Sequence, residues 1–211
     1  MKIAVLGAAG MAGSRVVTEA AYRGHALLAV YRSTRPEALP PGVTPVAGDA
    51  DDTDAMCALF EGVEAVVAAT RPPAGREHTI AATTTALLDA AAKTGTRILV
   101  VGGAGPLEVP GHPGRLVVDD PAHVPPQWRA VAAASSAQLA ACRSHPAADW
   151  TYLSPPAVLE PGPRTGAYRR GTTTLLTTEG GTSRISAEDL AAAVLDELER
   201  PRGERHFTVG Y

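Results

Sequence analysis

A glycine-rich segment near the start of the chain, Gly7-Ala8-Ala9-Gly10-Met11-Ala12-Gly13, constrains the fold more than any other feature. It follows the apolar run Ile3-Ala4-Val5-Leu6 and precedes a stretch, ending near Arg23, in which apolar residues recur at helical spacing. A strand, a glycine loop and a helix in this order bring backbone amides and a helix dipole to one point, where they favour a bound anion. The segment therefore predicts a parallel α/β sheet that begins with a dinucleotide-binding turn.

The three glycines of this loop have separate predicted roles. Gly7 makes the tight turn off the strand, Gly10 lets phosphate oxygens reach the backbone, and Gly13 lets the helix lie close to the sheet. The other candidate cofactor contacts in the loop are Ala9, Met11 and Ala12. The alternative is an ordinary strand-to-helix turn that binds no ligand.

The residues after the second predicted strand indicate which dinucleotide is bound. That strand covers residues 25–30 and is followed by Tyr31-Arg32-Ser33-Thr34-Arg35, with no acidic residue. NAD-preferring proteins place an Asp or Glu here to bind the ribose 2′-hydroxyl, whereas the guanidiniums of Arg32 and Arg35 suit a 2′-phosphate. The loop thus favours NADP, with NADPH preferred over NADH. A solvated polar turn before Pro36 is the alternative.

Strand and helix patterns alternate along the rest of the chain. The further predicted strands cover residues 44–47, 64–69, 97–101, 150–154 and 206–209, and the further helices residues 76–93, 128–145 and a last one that opens at Ser186. This alternation predicts a Rossmann-type doubly wound parallel sheet, and no repeat or linker divides residues 1–211 into two domains. Segments 103–128 and 155–185 are expected to form a small substrate-side lobe, the first as an irregular loop and the second with short strands over the site.

Residues at the ends of the later strands are the remaining cofactor candidates, because ligands of such sheets lie across the carboxyl ends of the strands. Asp49 follows the third strand and would bond the adenine amino group, although helix capping would also explain it and its acidic neighbours. The other candidates follow the fourth, fifth and sixth strands and are Ala69, Thr70, Arg71, Gly102, Gly103 and Pro155.

Composition excludes several other classes. The formal net charge of −3 gives no reason to expect binding to nucleic acid, and no stretch is apolar enough to cross a membrane. Cys57 and Cys142 are expected to be idle thiols in a reducing, cytoplasmic compartment. No metal-ligand spacing is present. The expected partners are small molecules, and the expected state is a monomer or a homodimer.

The motifs taken together resemble those of the atypical short-chain dehydrogenase/reductases, in particular the NmrA-like, NAD(P)H-binding group that includes bacterial NADH-flavin reductases and biliverdin reductase B. The pieces that carry the resemblance are residues 7–13, Arg32, Gly48-Asp49, Thr70-Arg71, Val101-Gly102-Gly103-Ala104, Ser154-Pro155-Pro156, Thr165-Gly166-Ala167-Tyr168 and Arg184-Ile185-Ser186 with Asp189-Leu190. The resemblance implies one Rossmann-type domain and hydride transfer from NADPH or NADH to a planar acceptor.

The chain lacks the proton donor that many short-chain dehydrogenases use on carbonyls. That donor is the tyrosine of a Tyr-x-x-x-Lys pair, but the only lysines are Lys2 and Lys93, and Asp89 stands four residues before Lys93. A reduced carbonyl needs such a donor, whereas an isoalloxazine delocalises the charge that a hydride brings. The absence therefore favours a flavin or quinone as the acceptor.

The chain also departs from biliverdin reductase B at two positions. Gly103 stands where that relative has serine, and Ala157 stands where it has histidine. These differences argue against biliverdin as the substrate and favour the flavin-reductase members. The candidate substrate contacts are then the backbone amides of Gly103 and Ala104, together with Tyr168.

No catalytic residue is assigned from the sequence. His78, His112, His123 and Tyr168 are weak candidate proton donors. The leading hypothesis is an NADPH-dependent reductase of flavin or a similar planar acceptor. The alternatives are a non-catalytic sensor of the NADP redox state and a tailoring reductase or epimerase of a biosynthetic pathway.

Overall fold

The computed structural model describes all 211 residues. Its α-helices are α1 Met11–Tyr22, α2 Thr53–Phe60, α3 Ile80–Thr94, α4 Arg129–Arg143 and α5 Ala187–Glu199. Its strands are β1 Lys2–Leu6, β2 Ala26–Tyr31, β3 Val43–Ala47, β4 Ala65–Ala68, β5 Arg97–Val101, β6 Glu108–Val109, β7 His112–Leu116, β8 Trp150–Ser154, β9 Val158–Glu160, β10 Arg169–Gly171, β11 Arg184–Ser186 and β12 His206–Gly210.

Eight strands form the central sheet in the order β10-β12-β8-β5-β4-β1-β2-β3. Every neighbouring pair is parallel except β10 with β12. The chain leaves β1 toward β2 and β3 on one side and returns to β4 on the other, so the strand order reverses beside β1. In open parallel sheets this reversal leaves a crevice at the carboxyl ends of the strands, where ligands bind. The predicted doubly wound fold is confirmed.

Helices cover both faces of the sheet. Helices α1 and α5 pack on one face of the sheet over one apolar cluster. Helices α2, α3 and α4 pack on the other face over a second apolar cluster. All four residues of β4 are buried, as expected of a parallel strand covered on both faces. No helix of the structure is long and apolar enough to span a bilayer.

The start of α5 anchors a neighbouring segment of the lobe. The last helix begins directly after Ser186, whose hydroxyl caps it by accepting a hydrogen bond of 3.0 Å from the Asp189 amide. The buried Asp189 carboxylate accepts hydrogen bonds of 2.8 Å from the amides of Thr165 and Gly166 and one of 2.7 Å from the Tyr211 hydroxyl. Burial acts to raise the pKa of Asp189, but these hydrogen bonds outweigh it and lower the pKa. Asp189 therefore holds the Thr165-Gly166 turn on the α1–α5 face.

The lobe differs from the sequence-based expectation in two places. The expectation of an irregular loop over residues 103–128 is wrong, because β6 and β7 form a hairpin there. The hairpin packs with the segment around residue 175 over a small core of Leu107, Val109, Val117 and Leu175. Its strands escaped prediction because β7 is mostly exposed and contains Pro113 and Gly114. Strand β10 lies at the edge of the central sheet and not over the site.

The start of α3 also differs from its prediction. The helix begins at Ile80, four residues later than expected, because Glu77–Thr79 form a 3₁₀ turn. This turn borders the carboxyl edge of the sheet, where the candidate site lies.

Candidate functional site

A cleft of about 840 Å³ lies over the carboxyl ends of β1 to β4. Its walls are the glycine loop after β1, the segments that follow β2, β3 and β4, and the first turns of α3. The cleft brings together eight of the predicted cofactor residues: Gly7, Ala9, Gly10, Arg32, Asp49, Ala69, Thr70 and Arg71. It coincides with the crevice that the strand order creates.

The glycine loop is held by contacts between backbone atoms. Gly7 has a φ of +77°, and a β-carbon on it would lie 2.3 Å from the carbonyl oxygen of Ala69. A β-carbon on Gly13 would lie 2.2 Å from the carbonyl oxygen of Gly7. Because no side chain fits at either position, the first turn of α1 lies directly on the loop, and the loop lies directly on the end of β4.

The beginning of α1 presents free hydrogen-bond donors. The amides of Ala9, Met11 and Ala12 donate to no other group of the protein. Gly10 precedes the helix and has no side chain to cap it, and no acidic residue stands in the first turn. The positive end of the helix dipole is therefore uncompensated, which suits the pyrophosphate of a dinucleotide. Met11 and Ala12 belong to this helix start, although they do not line the cleft itself.

Three arginines on the cleft wall, Arg32, Arg71 and Arg76, have no acidic partner within salt-bridge distance. Arg32 directly follows β2, at the position that the sequence assigned to a 2′-phosphate. Unpaired guanidiniums favour phosphate oxygens, which they bind in a bidentate manner. Arg35 does not line the cleft and lies along an adjacent groove that shares Ala9 and Thr34 with it.

Two acidic residues after β3 also line the cleft. The Asp49 carboxylate accepts a hydrogen bond of 3.1 Å from the Asp51 amide, and the Asp51 carboxylate accepts one of 2.6 Å from the Thr83 hydroxyl on α3. The capping role belongs to Asp52, whose side chain accepts from the Ala55 amide at 3.0 Å. Asp49 therefore lines the cleft and does not cap α2.

Thr70 has a hydroxyl that lacks a partner. It follows β4 in the cleft wall, and its Oγ1 is buried without any hydrogen bond. A buried polar atom without a partner is unfavourable, and a bound ligand would satisfy it. The orphaned hydroxyl, the free amides of the loop and the space left by the glycines all fit a dinucleotide.

The ends of β5 and β8 form a separate, tightly packed region outside the cleft. A β-carbon on Gly102 would lie 1.9 Å from the Tyr152 hydroxyl oxygen. That hydroxyl donates a hydrogen bond of 2.9 Å to the Ser135 carbonyl, and burial raises the pKa of Tyr152. Gly103 and Pro155 also lie at these strand ends without lining the cleft. The glycines here therefore make room for Tyr152 and α4.

The remaining candidates are not brought into the cleft. Tyr168 lies on the α1–α5 face, where its hydroxyl donates to Asp196, and burial, followed by this hydrogen bond, raises its pKa. Ala104 packs against the small core of the lobe. The three histidines also lie outside the cleft lining: His78 is exposed, His112 contacts the Pro110 carbonyl and His123 lies beside Asp120.

The sequence analysis missed Asp51, Arg76 and Thr83, which line the cleft. Only the arginine carried a usable signal, because it is a cation at the start of a helix that follows a strand end. Asp51 was attributed to helix capping, and Thr83 reaches the cleft only through the packing of α3 beside the end of β3.

The fold and the cleft define a dinucleotide-binding protein of the Rossmann type. A protein-family model described as NAD(P)H-binding matches residues 7–201, and the chain belongs to this family. The atypical short-chain dehydrogenase/reductase group that the sequence resembles fits this finding.

The solved structures that are similar over the whole chain include the three described next. A Burkholderia pseudomallei protein, provisionally described as exported, is 39% identical with a TM-score of 0.89, and the match covers 100% of both chains. A provisionally named epimerase from Bacteroides thetaiotaomicron is 34% identical with a TM-score of 0.89, over 100% of this chain and 96% of that one. A provisionally named NADH-flavin reductase from Streptococcus pneumoniae is 29% identical with a TM-score of 0.86, over 100% and 99% of the two chains.

Proposed function

We propose that this protein is an NADPH-dependent reductase that passes hydride to a flavin or a similar planar acceptor. The observation that carries the proposal is a cleft lined by the free amide of Ala9 and by unpaired Arg32, next to the free amides of Met11 and Ala12 at the start of α1. A nicotinamide cofactor bound there supplies a hydride. The name of the Streptococcus relative supports the flavin as acceptor.

Different residues of the cleft and of the adjoining start of α1 would bind different parts of the cofactor. The amides of Ala9, Met11 and Ala12 would bind the pyrophosphate, and the Thr70 hydroxyl would bind a ribose at the end of β4. Arg32 would bind the 2′-phosphate of the adenosine ribose, which is the group that distinguishes NADPH from NADH. Asp49 would accept from the adenine amino group.

The same residues limit the acceptor. No histidine or lysine lines the cleft, and its only tyrosine, Tyr31, lies at the end of β2 in the adenosine half. A carbonyl substrate would become a buried alkoxide that needs a proton donor, and the chain has no Tyr-x-x-x-Lys pair to supply one. A flavin or quinone accepts a hydride and delocalises the charge, so the protein has only to bind and orient it. Orientation of this kind supplies about 7–11 kcal/mol of barrier reduction in favourable cases.

A steady-state assay of NADPH oxidation with FMN, riboflavin and simple quinones tests the proposal. We expect turnover with at least one of them in the wild-type protein. Ala9→Asp should abolish it, because a carboxylate among the loop amides repels phosphate, while the neutral control Ala9→Ser should retain it. Tight NADPH binding without turnover on any acceptor would contradict the proposal.

The absence of histidine and lysine from the cleft also favours a second candidate function, a sensor that reports the NADP redox state to a protein partner. A sensor must bind NADP⁺ and NADPH with different affinities. Isothermal titration with each form checks this, and equal affinities would contradict it.

A further inference from the structure

We propose that Trp128 is the aromatic platform against which the ring of the acceptor stacks. This inference rests on the proposed function and assigns the acceptor a position. Trp128 is 52% exposed, although it is one of only two tryptophans in the chain. Its indole N–H donates to no protein group, in contrast to that of Trp150, which donates to the His145 carbonyl at 3.2 Å.

The position of Trp128 follows from the packing of α4 on the end of β5. A β-carbon on Gly105 would lie 2.2 Å from the Ala132 carbonyl oxygen, and one on Gly103 would lie 2.9 Å from the Ser135 β-carbon. The first turns of α4 therefore lie against the loop that follows β5. In a doubly wound sheet the nicotinamide end of the cofactor lies at this loop, beyond the pyrophosphate site.

Trp128 continues this helix outward. Its backbone is in the right-handed helical region, and it stands four residues before Ala132. Trp128 closes the 3₁₀ turn Pro126–Trp128 and directly precedes α4, so it lies about one helical turn, roughly 6 Å, beyond Ala132, at the end of α4 that packs on the Gly103–Gly105 loop. The indole is thus at the rim of the region that the acceptor must occupy.

Hydrogen bonds order the backbone of the segment that leads to Trp128. The buried Asp120 accepts a side-chain hydrogen bond of 2.9 Å from the Ala122 amide, and its carbonyl accepts one of 2.8 Å from the Val124 amide. The Trp128 amide donates to the Pro125 carbonyl at 2.9 Å. A large exposed aromatic on a segment fixed in this way loses little freedom when it stacks on a ligand.

The chemistry of the indole suits an isoalloxazine or quinone ring. Planar heterocycles stack on aromatic side chains whatever their substituents, and such stacking contributes substantially to binding. The other strongly exposed aromatic, Tyr22, is 80% exposed at the last residue of α1, at the opposite edge of the sheet. It provides a matched control.

Two measurements on the full chain saturated with NADP⁺ test the platform. First, FMN or riboflavin should quench the tryptophan emission of the wild-type protein. Trp128→Phe, in which only the 5% exposed Trp150 emits, should lose this quenching. Second, Trp128→Ala should raise the acceptor KM about ten-fold and leave the NADPH KM unchanged. Trp128→Phe should raise the acceptor KM less than Trp128→Ala does, because phenylalanine keeps an aromatic face, and Tyr22→Ala should keep both constants near their wild-type values.

The outcomes separate this inference from the proposed function. Quenching at Trp128 without turnover would support the platform and contradict the reductase. Turnover with an unchanged acceptor KM in Trp128→Ala would overturn the platform and leave the reductase standing. Neither quenching nor turnover with any acceptor would overturn both.

Discussion

A β-carbon on Gly7 would overlap the carbonyl oxygen of Ala69 at 2.3 Å, so the glycine loop and the end of β4 meet through backbone atoms alone. This contact joins the loop that follows β1 to the end of β4, the neighbouring strand on the other side of the reversal in strand order. It therefore fixes the floor of the cleft.

We expect Gly7→Ala to destabilise the protein by more than its backbone conformation explains. Gly62 has a nearly equal φ of +80°, and a β-carbon on it would meet nothing within 4 Å. The left-handed conformation alone costs about 1–2 kcal/mol, which lowers Tm by roughly 2–8 °C in a chain of this size. Thermal unfolding should show this decrease for Gly62→Ala and a larger one for Gly7→Ala. Equal decreases would contradict the tight contact with Ala69.

We expect Arg32→Glu to weaken NADPH binding far more than NADH binding. Loss of a charge-assisted hydrogen bond costs about 1.5–3 kcal/mol, or roughly 10- to 150-fold in affinity. Titration with NADPH and with NADH measures, for each cofactor, the ratio of the variant Kd to the wild-type Kd. Arg200→Gln, at the opposite edge of the sheet, is the control and should change neither ratio. An equal loss for both cofactors would refute the role of Arg32 toward the 2′-phosphate.

We expect Thr70→Val to stabilise the free protein while weakening cofactor binding. Its hydroxyl is buried without a partner, and such a group costs about 1–3 kcal/mol, which valine removes. The hydroxyl of the fully buried Thr208 is also unpartnered but lies outside the cleft. Thr208→Val should therefore raise Tm without changing the cofactor Kd. If Thr70→Val left the Kd unchanged as well, Thr70 would have no part in binding.

We expect His206 to make the protein less stable in acid. Burial, assisted by the positive charge of Arg143, lowers the pKa of His206 to about 4 from its usual 6.5. Between these values the unfolded chain binds the proton and the folded chain does not, so stability falls as the pH drops from about 6.5 to 4 and then levels off. The loss attributable to this group is at most on the order of 3 kcal/mol.

The measurement is urea unfolding of wild type and His206→Gln across this pH range. His206→Gln should lose less stability than wild type as the pH falls. Buried carboxylates such as Asp189 lose their own stabilising hydrogen bonds in acid in both proteins, so the difference between the two isolates His206. Parallel curves would show that His206 does not titrate as its burial implies.

The central sheet and the glycine loop were predictable because their signals are local. Buried parallel strands are short apolar runs, and the run-loop-helix order around Gly7 is contiguous in sequence. The position of Arg32 at the carboxyl edge of the sheet was likewise predictable, because Arg32 directly follows β2 in the sequence. These features depend on neighbours along the chain, which a sequence displays directly.

The parts that escaped prediction depend on tertiary packing. Thr83 reaches the cleft because α3 lies beside the end of β3, and Tyr168 is drawn to Asp196 on the far face of the sheet. Tyr152 fills the space beside Gly102, a contact that the residues next to Gly102 in the sequence do not indicate. Contacts between segments that are distant along the chain leave no periodic pattern in the sequence, so they could not be predicted from it.

The packing of Tyr152, Ala132 and Ser135 against the loop after β5 has a consequence for protein engineering. Gly102, Gly103 and Gly105 have no room for a side chain, so randomising them would yield mostly unfolded clones. Trp128 and Ala157, in contrast, are exposed. A library intended to retarget the acceptor should vary these two positions and leave the three glycines untouched.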